Sequence, residues 1–180
     1  TRLRSILTQD PKIIMIVETR DLETAEIAIT ASLTGHLVLS TLHTNDSPSA
    51  LNRLKDIGVE PYLIASTVNL LISQRLVRVI CPKCKEEMTP SPGTLAIVKS
   101  VYPDAVTWKY HCGKGCSHCA DTGYRGRTAI FEFLEMTDPL REAFLRGDSG
   151  NALRDEAIER GMTTLLMDGF NKVRKGVTTT

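Results

Sequence analysis

The sequence has no apolar run long enough to cross a bilayer. Its two most apolar stretches, Ile13 to Val17 and Tyr62 to Ile72, fall short of the roughly 20 residues a spanning helix needs, and the longer one carries Ser66, Thr67 and Asn69. It has no excess of one charge either: 22 Lys and Arg face 21 Asp and Glu, so no strong field directs the chain to nucleic acid or to an anionic membrane. The chain opens Thr1-Arg2-Leu3, without an initiator Met and without the charged, apolar and small-residue segments of a secretory signal. Aromatics make up 5% of the residues. No G-x-x-x-x-G-K-[ST] occurs; Gly123-Tyr124-Arg125-Gly126-Arg127-Thr128 has glycines at the wrong spacing and no following lysine. These residues alone are therefore expected not to bind ATP measurably. There is no internal repeat and no low-complexity tract.

Cysteine is present in a specific pattern. Four of the five fall into two C-x-x-C pairs, Cys81-Pro82-Lys83-Cys84 and Cys116-Ser117-His118-Cys119. Two such knuckles bring four thiolates to one tetrahedral ion, so Cys81, Cys84, Cys116 and Cys119 are expected to hold a structural Zn2+ with no open position for water. A redox site would need only one pair. Metal ligation by thiolates suits a reducing compartment, and cytoplasm is the simplest location. Cys112 and His118 lack the paired spacing and are set aside as ligands; His111 is expected in an exposed loop. The prolines and glycines between Cys81 and Cys119 predict short elements that depend on metal for order.

Around this module the pattern is α/β. Ile13-Ile14-Met15-Ile16-Val17 is mostly β-branched and predicts a parallel strand buried on both faces, with Glu18 at its C-terminal end. Asp21 is placed to cap a helix through Leu22, Ala25, Ile29 and Leu33, with Gly35 as its stop. A second strand runs from His36 to Leu42 and ends at His43-Thr44-Asn45-Asp46; Ser47-Pro48 opens a helix that Gly58 closes. Helical spacing of Leu63, Ile64, Val68, Leu71, Ile72 and Leu76 predicts a helix from Pro61 to about Val79. A strand over 128–134 is followed by three helices begun by Asp138-Pro139, Asn151 and Thr163, with Gly147, Gly161 and Gly176 as stops. A carboxylate at the end of a buried parallel strand is where nucleotide-hydrolysing α/β proteins orient water or hold magnesium.

Asp10-Pro11 to Glu18-Thr19-Arg20-Asp21, the stretch Thr34-Gly35-His36 through His43-Thr44-Asn45-Asp46, and Gln74-Arg75-Leu76-Val77-Arg78 together closely resemble the type II secretion and type IV pilus assembly ATPases. The two cysteine pairs and Thr122-Gly123-Tyr124-Arg125-Gly126-Arg127-Thr128 resemble the zinc-binding appendage of secretion and pilus-extension members, absent from retraction members. The resemblance implies the C-terminal part of a RecA-like P-loop NTPase core (1–80), an inserted four-cysteine zinc module (81–125), and a returning strand with a C-terminal helical subdomain (126–180). It further implies a ring-forming motor, usually a homo-hexamer, that uses ATP and Mg2+ to drive pilus or pseudopilus assembly. Such a motor is cytoplasmic and peripheral at the inner membrane, with inner-membrane platform and docking proteins as partners and no nucleic acid.

By motif position Glu18 matches the catalytic glutamate that polarises the attacking water, and His43 would report on the terminal phosphate. His36 opens the same histidine motif as a further nucleotide-binding candidate. Arg20 and Asp21 are expected to lock the loop, and Arg75 and Arg78 to serve subunit contacts. The phosphate loop is expected upstream in a longer protein, and the family stretch at Val177-Thr178-Thr179-Thr180 normally continues. The family usually has Arg at Thr8, Asp at Lys12 and Gly at Val17, so a member that has lost hydrolysis and serves assembly is a second expectation; Val17 would crowd the water site or take a φ suited to glycine. A zinc-ribbon nucleic-acid binder, suggested by Lys83, Lys85, Lys114, Arg125 and Arg127, is disfavoured because few stacking aromatics (Trp108, Tyr110, Tyr124) accompany them.

Overall fold

The computed structural model describes residues 11–180, so Thr8 and Asp10 lie outside the described residues. The chain forms two compact units, one from the part up to Ser73 with Phe133–Met162, the other from Gln74–Glu132 with Thr163–Thr180.

In the first unit, β1 (Ile13–Ile16) pairs in parallel with β2 (Leu37–Ser40), Ile13 opposite Leu37 and Ile16 opposite Ser40. The crossover is α1 (Leu22–Leu33). It starts where Asp21 accepts the Thr24 N–H at 2.8 Å, and ends at Gly35, whose φ of +94° a β-carbon would disfavour. Alternation along β1 buries Ile14 and Ile16 against Ala28, Ala31 and Val38. Ile13 and Met15, on the other face, remain 60% and 73% exposed. The expectation of a strand buried on both faces is thus corrected: among the described residues only the α1 side is covered.

Helix α2 (Ser47–Asp56) begins with Asp46 accepting the Ser49 N–H at 2.9 Å and with Pro48 in its first turn. Next come α3 (Pro61–Thr67) and β3 (Leu70–Ile80). The helix expected to reach Val79 therefore ends at Thr67. Apolar residues stand at both odd and even positions of β3, which mimics helical spacing, and the segment is a strand because β6 (Tyr124–Glu135) pairs with it. Helices α5 (Asp138–Arg146) and α6 (Gly150–Glu159) complete the unit. Its core packs Leu51, Ile64, Leu134, Leu140 and Leu153, each 0–1% exposed, around Phe144. Full burial of each such side chain is worth about 1.5–3 kcal/mol.

In the second unit β4 (Lys85–Met88) and β5 (Tyr110–Gly113) form an antiparallel pair, Lys85 opposite Gly113 and Met88 opposite Tyr110. Helix α4 (Pro92–Val101), capped by Ser91, and α7 (Leu165–Arg174), capped by Thr164, supply Val98, Phe170 and Val173 to a second core with Ala105, Trp108 and Tyr110. The cysteine-bearing segment thus packs its own apolar residues. His111 is corrected from an exposed loop to a half-buried position on β5 opposite Glu87. Strand β6 begins four residues before the expected Thr128.

Candidate functional site

The backbone clamp between β1 and β2 continues beyond their ladder. Thr19 is buried; its N–H donates to the Thr41 carbonyl at 2.9 Å, and its hydroxyl lies 2.7 Å from that of Ser40. The Thr41 hydroxyl in turn donates to the Val17 carbonyl. Two strand ends joined this way carry their next side chains to one edge. The Glu18 carboxylate, 16% exposed, lies 2.8 Å from His43 Nε2 and accepts an ion pair from Arg20, while the His43 and Arg20 side chains are 87% and 74% exposed. The Arg20 hydrogen bond, opposed by partial burial and helped by the charges of Arg20 and His43, holds the Glu18 carboxyl below the usual carboxylate range. It is therefore an ionised acceptor at neutral pH, held at a solvent-facing edge.

His36 is not brought to this cluster. Its Nδ1 lies 3.0 Å from the Ala31 carbonyl and 3.0 Å from the Thr34 hydroxyl, at the end of α1, with the whole of β2 between it and His43. Asp21 serves as a helix cap. Val17 is 83% exposed, and among the described residues non-glycine positive φ occurs only at Ala120 and Asp121, so Val17 adopts a backbone open to any L-residue. An apolar cavity of about 350 Å³ opens beside β2, lined by Ala28, Ile29, Leu37, Leu39 and Leu71 among others. No acidic side chain, lysine or arginine lines it, so it does not suit phosphates or magnesium.

The cysteines form a separate constellation. The sulfurs of Cys81, Cys84, Cys116 and Cys119 lie within 4.8 Å of one another, with Cys81–Cys116 at 3.9 Å and Cys84–Cys119 and Cys116–Cys119 at 3.8 Å. A disulfide would need about 2.05 Å. A tetrahedron of thiolates roughly 2.3 Å from zinc has edges of about 3.8 Å, so the donor set fits that ion. Backbone N–H groups of Gly115, Cys116 and Gly123 each point at a cysteine sulfur at 3.3 Å. Burial pushes the Cys119 thiol up, but the Cys116 and Gly123 N–H groups outweigh it and bring it down to about 7. Burial and the neighbouring sulfurs push Cys84 up to about 12 against the Gly115 N–H. Four thiolates this close repel one another, and a divalent cation is what relieves the repulsion. Cys112 is outside the set.

Arg78 stacks 4.0 Å over the Tyr124 ring, and its carbonyl accepts the Thr178 hydroxyl at 2.6 Å; Arg75 reaches the Gln74 carbonyl. Sequence reasoning missed Arg154, whose guanidinium pairs with Asp46 three residues after His43. The two are 108 positions apart, and no local pattern signals the pair.

A family model described as "Type II/IV secretion system protein" matches residues 1–180. The chain is 48% identical over 178 residues to the type IV pilus assembly ATPase PilB of Myxococcus xanthus, covering 98% of this chain and 31% of that protein. It is 44% identical over 180 residues to the type II secretion system protein E of Aeromonas hydrophila, covering 98% and 34%. The chain thus spans about a third of the length of these relatives. Among solved structures, the Legionella pneumophila ATPase DotB superposes with a TM-score of 0.66 at 22% identity (98% of this chain, 38% of that one). The pilus retraction motor PilT with bound ADP gives 0.65 at 24% identity (99% and 40%). The fold is that of these P-loop ATPase-like α/β proteins.

Proposed function

Because this chain belongs to the type II/IV secretion system protein family, we propose that it supplies the water-activating part of the ATP site in a longer motor ATPase for secretion or pilus assembly. The observation that carries this is the 2.8 Å approach of His43 Nε2 to Glu18 at the C-terminal edge of the β1–β2 pair. Glu18, ionised and anchored by Arg20, accepts a hydrogen bond from the attacking water and takes up its proton as the terminal phosphate departs. His43, largely exposed, contacts that phosphate and swings off Glu18 when nucleotide is bound. Mg2+ bound with the nucleotide would supply the neutralisation of phosphate charge. His36, a nucleotide-binding candidate by its motif, instead braces α1 against β2.

Cys81, Cys84, Cys116 and Cys119 hold a structural zinc whose contribution is to order the two knuckles. The motor is a homo-hexamer in the cytoplasm, peripheral at the inner membrane, working with platform and docking proteins. No described helix is long and apolar enough to cross a membrane, which is compatible with a peripheral attachment. A member that has lost hydrolysis is the second reading, motivated by Lys12, Val17 and Thr8 in place of the usual family residues.

The test is steady-state ATP turnover by the complete protein with Glu18→Gln. Loss of a general base removes about 10²–10⁴-fold, and nucleotide binding should persist. Turnover within a factor of about two of the parent would remove Glu18 from the mechanism; absence of turnover in the parent protein itself would favour the second reading.

A further inference from the structure

The loop that presents His43 to Glu18 runs from the end of β2 at Ser40 to the start of α2 at Ser47 and is fixed at both ends. At its start, Thr41 is clamped to Val17 and Thr19. At its end stands Asp46, whose two carboxylate oxygens divide the work: Oδ1 accepts the Ser49 N–H, capping α2, and Oδ2 accepts the guanidinium of Arg154 on α6. Both side chains are partly buried, at 22% and 35% exposure. Burial pushes the Asp46 carboxyl up, but the Ser49 and Arg154 interactions outweigh it and leave the group below the usual range.

Arg154 reaches this place because α6 is registered on α2. Leu153 and Leu51 are both fully buried in one core, and a β-carbon at Gly150 would come 3.1 Å from the Asn52 side-chain amide. The position is not one that helix stability would select. A cation at the first turn of α2 faces the positive end of the helix dipole, an unfavourable arrangement unless a carboxylate intervenes. Asp46 could cap α2 without Arg154. What the pair adds is a tether from a helix late in the chain to the residue three places after His43.

We propose that Arg154 is a positioning residue for the hydrolytic site, acting through Asp46 to fix the loop that carries His43 to the strand edge beside Glu18. The inference rests on the role given above to Glu18 and His43. Misplacing a reacting group by about 1 Å costs up to 10²-fold in rate, and a loosened tether should reduce the chemical step while leaving nucleotide affinity largely intact, since Arg154 touches neither of the two site residues.

The experiment compares four variants of the complete protein: Arg154→Gln, Arg154→Lys, Asp46→Ser and Glu18→Gln. Asp46→Ser retains a competent N-cap for α2 while deleting the pair. Expected is a fall in kcat of roughly tenfold or more in Arg154→Gln and Asp46→Ser, KM for ATP within about threefold, a melting temperature at most a few degrees below the parent's in Asp46→Ser, and partial recovery of kcat in Arg154→Lys. A merely structural role would lower melting temperature without splitting kcat from KM, and that result overturns the proposal. Should Arg154→Gln fail to fold, Asp46→Ser decides alone: unchanged kcat refutes the tether. Normal turnover in Arg154→Gln beside a dead Glu18→Gln refutes the positioning role only, whereas normal turnover in Glu18→Gln refutes the site on which it rests.

Discussion

A β-carbon on Gly113 would stand 1.9 Å from the carbonyl oxygen of Gly123. That same carbonyl accepts the Cys81 N–H at 2.9 Å, and the Gly123 N–H points at the Cys119 sulfur. The Gly123 backbone thus packs against β5 at Gly113 while its carbonyl ties the first cysteine knuckle to the segment that follows the second. Gly123 also has a φ of +76°, so its side of the contact is closed to other residues on two counts.

Gly113→Ala should destabilise the module by on the order of 3 kcal/mol, since backbone rather than a flexible side chain must move, and should lower its zinc content. Gly93→Ala is the control: apart from its own helical turn nothing lies within 4 Å of that β-carbon, and its φ is an ordinary one. It should be neutral or stabilise by up to about 1 kcal/mol. Thermal unfolding and metal analysis of the purified proteins check both. Equal stability of the two alanine variants would show that the Gly113–Gly123 approach is not rigid.

Zinc itself makes a sharper prediction. Wild-type protein should carry one ion per chain, and Cys84→Ser or Cys119→Ser should carry close to none, whereas Cys112→Ser should keep its metal because Cys112 stands outside the cluster. Chelation should lower the melting temperature of the wild type and leave that of Cys84→Ser unmoved. Structural zinc sites contribute about 10–16 kcal/mol of apparent binding, so a null effect of chelation would contradict the assignment.

A pH dependence follows from Asp168. Burial pushes its carboxyl up, but the hydrogen bonds from Lys172 and from the Phe131 N–H outweigh this and hold it below the usual range. Because the folded-state value is the lower one, the stabilisation is complete above the ordinary carboxylate range near pH 4 and is lost as pH falls through the depressed value. Asp168→Asn should cost about 1 kcal/mol at pH 7 and shrink towards no difference at strongly acidic pH. Unfolding midpoints of the two proteins across that range measure it, and a constant difference would reject the linkage.

Val17→Gly should change turnover of the complete protein by less than about threefold. Val17 is 83% exposed and its backbone needs no left-handed φ, so the glycine usual in the family relieves no strain here. A large gain in rate would mean that the valine obstructs bound nucleotide.

Much of this arrangement is legible in the residues. The β-branched run fixes β1, Asp21 announces the helix it caps and Ser47-Pro48 the start of α2, because each of these signals is local. The cysteine pairs predict their own cluster by spacing, and the ends of the two parallel strands place Glu18 and His43 together. The segment from Leu70 to Ile80 is not legible: its apolar residues fit a helix as well as a strand, and the deciding partner, β6, begins at Tyr124. Arg154 escapes for a related reason, since an arginine on a polar helix face carries no mark of the carboxylate it will meet 108 residues away. His111 is hidden by the proline- and glycine-rich setting that suggests a loop but contains the antiparallel β4–β5 pair.

A structure of the complete protein with ADP, aluminium fluoride and magnesium would reveal where water is activated. It should hold an in-line water within about 3 Å of the Glu18 carboxylate, with His43 turned from Glu18 to the fluoride that mimics the terminal phosphate. A nucleotide whose attacking water is held by another residue, with Glu18 and His43 still paired away from it, would rule out Glu18 as the water-activating group.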